Sequence, residues 1–213
     1  MAAVGDDGVR HYTAPPVIAN RSGLARKQAR AWADEERRLD IARSMYAWRL
    51  GKVLPHRDVA VLRGIEGARM KEAYRLHAEQ AGIRWRGRRY DRARPSSGDL
   101  PNQALNHCSS AIEAAAAIAV AATATIPQLG FIHEDPGQSF VLDVSDLFRD
   151  TVTIPVAFRA AKRANSPPFE NVERLVRRET GRTLTRDQTI PKMIERIKSL
   201  FEDDAPVEDS RCQ

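Results

Sequence analysis

The chain has 213 residues (23.8 kDa), 42% of them hydrophobic and 29% charged, which is the composition of a globular domain rather than of a disordered segment. Lys and Arg number 34 against 28 Asp and Glu, and the formal net charge of +6 favours polyanionic partners, nucleic acid first. The two cysteines, Cys108 and Cys212, lie far apart, which excludes a disulfide framework and a cysteine-based zinc site and suits a reducing cytoplasm.

Residues 1–14 read as a β stub, with Val9 and Tyr12 in a strand beside an Asp6-Asp7-Gly8 turn signal. They lack the basic and apolar regions of a secretory signal, so a cytoplasmic location is expected. Pro15-Pro16 breaks the pattern, and from Ser22 onward the chain reads as helical. One helix is expected over Ser22 to Leu50, stopped by Gly51, and a second, capped by Asp58, through Gln80 to Gly82. Gly82 to Gly98 reads as a loop, and Pro101 opens an alanine-rich third helix to about Thr125. Its run from Ala114 to Ile126 is 13 residues, short of the roughly 20 that a spanning helix needs, so no membrane segment is expected. Residues 126–138 read as irregular and Ser139 as the N-cap of a short helix to Arg149. Further helices are expected from Thr153 to Arg163, Phe169 to Glu179 and Thr185 to Phe201. Residues 202–213 read as a loose acidic tail. The expected fold class is mainly α: a β stub at 1–14, an all-α domain at 15–201 and the tail.

Three places carry possible chemistry. Glu66 shares a helix face with Leu62, Ile65, Met70 and Ala73, so its carboxylate needs a cation, a ligand or an ion pair with Arg63 or Arg69. Gly64 and Gly67 flank it at a cost to the helix, which suggests close approach by another backbone or a ligand. Asp143 and Asp146 stand one helical turn apart, with Asp150 a turn further, and form either a solvated face or an acidic stripe facing a crevice. His133 sits in a turn-rich loop ten residues before Asp143. One imidazole and two or three carboxylates, without thiolate, make a ligand set for Mg2+ or Mn2+, ions that activate a hydroxyl and stabilise a phosphodiester under attack. From Arg84 to Arg94 six arginines fall in eleven residues, with Trp85 and Tyr90 between them. This is either a solvated loop or a phosphate-binding one, whose aromatics stack on bases or anchor the loop.

Leu62-Arg-Gly-Ile-Glu66-Gly67, Gly87-Arg-Arg-Tyr-Asp91, Asn102-Gln103, Gly130-Phe-Ile-His133 and Ser139-Phe-Val-Leu-Asp143-Val-Ser-Asp146-Leu147 occur in this order. Together they resemble the CRISPR-associated endonucleases that act as spacer-acquisition integrases, in the form found with subtype I-E systems. The resemblance covers residues 1 to about 165 well. It implies a catalytic site of Glu66, His133, Asp146 and Asp143, the first three binding Mg2+ or Mn2+. DNA, both prespacer and CRISPR repeat, is the implied substrate, and Arg63, Arg84, Arg86, Arg88, Arg89 and Arg149 are the residues expected to contact it. A homodimer and a small CRISPR-associated adaptation subunit are the implied protein partners. In such relatives a β-domain precedes the helical domain and supports dimerisation. Only its last strand is legible here, so a weakened dimer and poor autonomous integration are expected. The alternative is a non-catalytic DNA-binding or scaffold fragment of the same fold.

Overall fold

The computed structural model describes residues 22–89, 98–134 and 137–202, together with the backbone of two short strands at 2–4 and 10–12. Strands β1 (Ala2–Val4) and β2 (Arg10–Tyr12) pair antiparallel, with Ala3 opposite His11. The Asp6-Asp7-Gly8 turn and Val9 lie outside the described residues, as do Tyr90, Arg92, Arg94 and the acidic tail from Asp203.

The helix expected from Ser22 to Leu50 is two helices, α1 (Ser22–Ala33) and α2 (Glu35–Leu50). Asp34 divides them because its carboxylate accepts from the backbone of Glu36 and Arg37, which makes it an N-cap. Glu35 and Glu36 then suit the positive end of the new helix dipole. Gly51 stops α2 in the left-handed conformation, φ 70°. Helix α3 (Val59–Ala81) follows the sequence reading closely, from the Asp58 cap to Gly82.

Helix α4 (Leu100–Thr123) is capped by Asp99 and has Pro101 in its first turn. By length and composition alone it could cross a membrane, contrary to the 13-residue estimate from the sequence. It lies instead among α5 (Ser139–Asp146), α6 (Ile154–Ala164), α7 (Val172–Arg186) and α8 (Thr189–Leu200), all of which pack against it. Ala104, Ala115, Ala116 and Ala119 are buried on its faces, and such small side chains let neighbouring helices come close.

Other boundaries differ too, including the last helix, which starts at Thr189 rather than Thr185. Helix α5 begins at Ser139 with Gln138, not Ser139, in the cap position, and ends at Asp146. Arg149–Thr153 then forms a π-helical turn in which both Val152 and Thr153 donate to the Phe148 carbonyl. One extra residue per turn leaves no trace in apolar spacing, and such turns occur often at functional sites. Helix α7 starts after Asn171, which caps Arg174, and runs through Gly181 to Arg186, while Phe169 stays exposed outside it.

Two features fix the irregular segment before α5. The buried Gln28 side chain donates to the carbonyls of Ile126 (3.0 Å) and Leu129 (2.9 Å) and accepts from the Ile126 amide (2.6 Å). Phe131, Phe140 and Phe201 form an aromatic triangle with centroids 5.9 to 6.2 Å apart. The loop that carries His133 is thus pinned to α1, α5 and the end of α8.

Candidate functional site

Arg49, in the last turn of α2, follows Met45 by four residues and Tyr46 by three, so the helical repeat turns it inward with them. Its guanidinium is buried, with 3% of the side chain exposed. Nη2 lies 2.7 Å from Glu66 Oε1 on α3, and Nη1 donates to Asp146 Oδ2 on α5 at 3.2 Å. The two expected ligands therefore come from separate helices and meet through one cation. Arg149, one turn after Asp146, pairs with the other oxygen, Oδ1, at 2.6 Å.

Asp143 is wholly buried and does not belong to a solvated acidic face; Asp146 is nearly so. The Asp143 carboxylate accepts from the backbone amides of Phe131 (2.6 Å), Ile132 (3.1 Å) and His133 (2.9 Å). It also takes the His133 ring, Nδ1 to Oδ1 at 2.8 Å. A carboxylate can only accept, so the shared proton sits on Nδ1 and Nε2 is directed toward Asp146 Oδ2, 3.8 Å away. Asp143 is a positioning residue: it folds the loop and selects the tautomer. The loop also depends on Gly130, where an added Cβ would stand 2.4 Å from Ser139 Cβ and 2.9 Å from the His133 carbonyl oxygen. The protein backbone comes close here, not at Gly64 and Gly67, where a ligand remains the other reading. An added Cβ at either of those glycines meets nothing within 4 Å, so α3 presents an open surface beside Glu66.

Burial raises the Glu66 pKa, with the Asp146 charge adding to it and Arg49 opposing. The hydrogen bond to Asp143 raises that of His133 against the opposing effect of burial. A raised histidine pKa stabilises the fold fully below about pH 6.5, and that contribution is lost as pH rises through the folded value. Were a metal ion to bind Nε2, it would have to displace the same proton. If His133 is a ligand, Mn2+ affinity should climb through the neutral range, later than for a free imidazole, and excess metal should partly restore binding at lower pH. Calorimetric titrations between about pH 5.5 and 8.5 check this, and a flat affinity would remove His133 from the ligand set.

Among the described residues, no three His, Cys, Asp or Glu side chains are grouped so that they could hold a metal ion. Arg49 stands between two of the candidates. The donor chemistry nonetheless fits a hard divalent cation, with one imidazole nitrogen and two carboxylates. A further observation singles out this region. Among the described residues, the buried side-chain atoms without a hydrogen-bond partner are Tyr46 Oη, Arg49 Nε and Nη2, and Asp150 Oδ1. Native interiors leave few such groups, and functional sites are a common reason. Arg49 contacts both acids, Tyr46 feels the Glu66 charge, and Asp150 lies near Arg49, Arg69 and Arg149. Sequence reading misses Arg49, although an arginine inside the Met45, Tyr46, Leu50 stripe is a legible signal.

The six expected DNA-binding arginines separate into distinct roles. Arg88 donates to the Asn102 side chain (3.2 Å) and to Asn106 (2.7 Å), and Asn102 also accepts from the Arg89 amide. Arg88 thus ties the loop to α4. Trp85 packs between Tyr74 and Phe158, at 5.4 and 5.3 Å, and anchors the loop rather than presenting a stacking face. Arg84, Arg86 and Arg89 are exposed. Arg84 and Arg86 line a cleft of about 450 Å3 with Ile83, Asp99, Pro101 and Asn165 at the far end of α3. Arg63 donates to the Ile132 carbonyl at 3.1 Å and braces the His133 loop.

Comparison with known proteins gives a consistent result. The family model described as CRISPR associated protein Cas1 matches residues 47–199. The CRISPR-associated endonuclease Cas1 of Geobacter sulfurreducens is 38% identical over 169 residues, 78% of this chain and 55% of the relative. That of Escherichia coli is 35% identical over 214 residues, 98% of this chain and 69% of the relative. The chain therefore spans between about half and two thirds of the length of these relatives. Among solved structures, the crystal structure of a TtCas1–DNA complex superposes with a TM-score of 0.78 at 33% identity, covering 85% of this chain and 66% of that one. Every expected ligand and its supporting loop falls within the matched segment, and the chain belongs to the CRISPR-associated Cas1 family.

Proposed function

We propose that the chain is the helical catalytic portion of a divalent-metal-dependent DNA endonuclease and integrase, which inserts spacers into a CRISPR array by phosphodiester transfer. The observation that carries this reading is the meeting of Glu66 and Asp146 across Arg49, beside a His133 imidazole whose Nε2 is aimed at Asp146. Glu66, His133 and Asp146 would hold Mg2+ or Mn2+. When bound there, such an ion activates a hydroxyl and offsets the charge on the attacked phosphate.

The remaining work belongs to this chain's own groups. Asp143 keeps the His133 proton on Nδ1 and holds the loop in register. Arg149, with a third of its side chain exposed, stands at the edge of the site, where it can meet a non-bridging phosphate oxygen. The open surface over Gly64 and Gly67 leaves room for a DNA backbone beside Glu66. In transfer, a DNA 3′-oxygen gives up its proton and bonds to phosphorus in the repeat. The phosphorus bond to the displaced 3′-oxygen breaks, and that oxygen takes up a proton. With water in place of the 3′-hydroxyl, the same geometry gives cleavage.

The likeness to a Cas1–DNA complex supports DNA as partner; a small CRISPR-associated adaptation subunit, a homodimer and a cytoplasmic setting are the further parts of the proposal. The β1–β2 pair would be what this chain carries of a β-domain at 1–14, ahead of a helical domain at 15–201 and a tail at 202–213. The test is cleavage and strand transfer on labelled duplex and branched DNA with Mn2+ or Mg2+. Metal-dependent product, lost in chelator, is expected; DNA binding without product would favour the scaffold alternative.

The arginine roles give a separate expectation. Replacing Arg84, Arg86 and Arg89 with alanine should weaken binding to unrelated duplexes alike. It should also flatten the log-affinity against log-salt slope by about 0.9 for each phosphate that is no longer neutralised. Arg88→Ala should instead loosen the loop, read as lower thermal stability. An unchanged slope in the triple variant would assign the loop to structure alone.

A further inference from the structure

We propose that Arg49 is a built-in cation that holds the metal site together when empty and competes with the divalent ion for Glu66 and Asp146, so that it sets the metal affinity. The inference rests on the metal reading above. Three observations carry it. Arg49 contributes the contacts that join the two carboxylates, at 2.7 and 3.2 Å, and it comes from a third helix. Its side chain is 3% exposed, so it cannot swing into water as Arg149, 33% exposed, can. Its Nε and Nη2 lack an aligned acceptor, so the guanidinium is held by charge more than by directed hydrogen bonds.

A guanidinium does not lose its proton in a protein, so Arg49 cannot give way by becoming neutral. It can yield only by turning its Nη atoms off the carboxylate oxygens. Without it, two acids in a half-dry site would repel each other and part. With it, they stay converged, but an arriving dication meets a like charge already in place. Arg49 is therefore a positioning residue with opposite effects on the empty and loaded states. By reciprocity, whatever it contributes to the empty site it subtracts from metal binding.

The experiment compares the full chain with Arg49→Gln and Arg49→Lys, using MnCl2 as the probe in titration calorimetry and thermal melting in chelator and in saturating Mn2+. Arg49→Gln should melt lower than wild type in chelator, and saturating Mn2+ should close most of that gap. Its Mn2+ affinity should rise on the order of tenfold. Arg49→Lys keeps the charge but cannot span both acids; it should fold and bind Mn2+ between the other two, and it decides the matter if the glutamine variant does not fold. Wild-type binding with equal or weaker affinity in the variants would overturn the competition and leave the metal site standing. Failure of all three chains to bind Mn2+ would overturn both.

Discussion

Glu66→Gln, His133→Ala and Asp146→Asn should each lower metal-dependent DNA cleavage or strand transfer by about a thousandfold or more, roughly 4 kcal/mol of transition-state stabilisation. Each substitution removes a carboxylate charge or the imidazole nitrogen from the ion that would activate the nucleophile. Glutamine is chosen at position 66 because alanine would also strand the Arg49 guanidinium, and a buried charge robbed of its partner costs about 3–5 kcal/mol of stability. Circular dichroism should find each variant as helical as wild type. Product formed at wild-type rates by all three, under saturating metal, would show that the chemistry lies elsewhere.

Asp143 should behave differently, as a residue of the fold first. Asp143→Ala removes the fully buried acceptor of three backbone amides and of the His133 ring. Orphaned buried donors cost about 1–3 kcal/mol each, and part of the loop can still reach solvent, so a loss of about 4 kcal/mol is expected. Asp143→Asn keeps the shape and one acceptor oxygen but aims an NH2 group at donors; about 2 kcal/mol is expected there. Both variants should also lose activity, because a His133 released from Asp143 no longer has a fixed tautomer. Denaturant titration reads the stability. Values within about 1 kcal/mol of wild type for Asp143→Ala would mean that the carboxylate does not anchor the loop.

Much of this is legible in the residues. Capping signals at Asp58 and Gly82 bound α3 correctly because they act locally, through one side chain and one backbone conformation. Asp34 is as local, yet it is hidden among charges on the exposed side of a continuous apolar pattern. Chemistry alone picks out the acids at 66, 143 and 146 and His133, but not their division of labour. Whether a carboxylate meets a row of amides or stays open to another partner depends on how the 130–133 loop folds back over α5. That fold-back is decided by Gly130 against Ser139 and by Gln28 from nearly a hundred residues away. The glycines beside Glu66 leave their reason open in the sequence for the same cause: a glycine marks close approach by protein or by a ligand, and only the tertiary neighbours tell which. Arg88 and Trp85 belong to a run that composition reads as one basic patch, while packing against α4, α3 and α6 assigns them to structure.

The most direct test of the metal centre is electron spin-echo spectroscopy of Mn2+ bound to the full chain, which detects a directly coordinated imidazole nitrogen. Wild type should show nitrogen modulation from one histidine, absent in His133→Gln, while Asp143→Asn should weaken or shift it. Bound Mn2+ without nitrogen coupling, or coupling that survives His133→Gln, would contradict a site built from Glu66, His133 and Asp146.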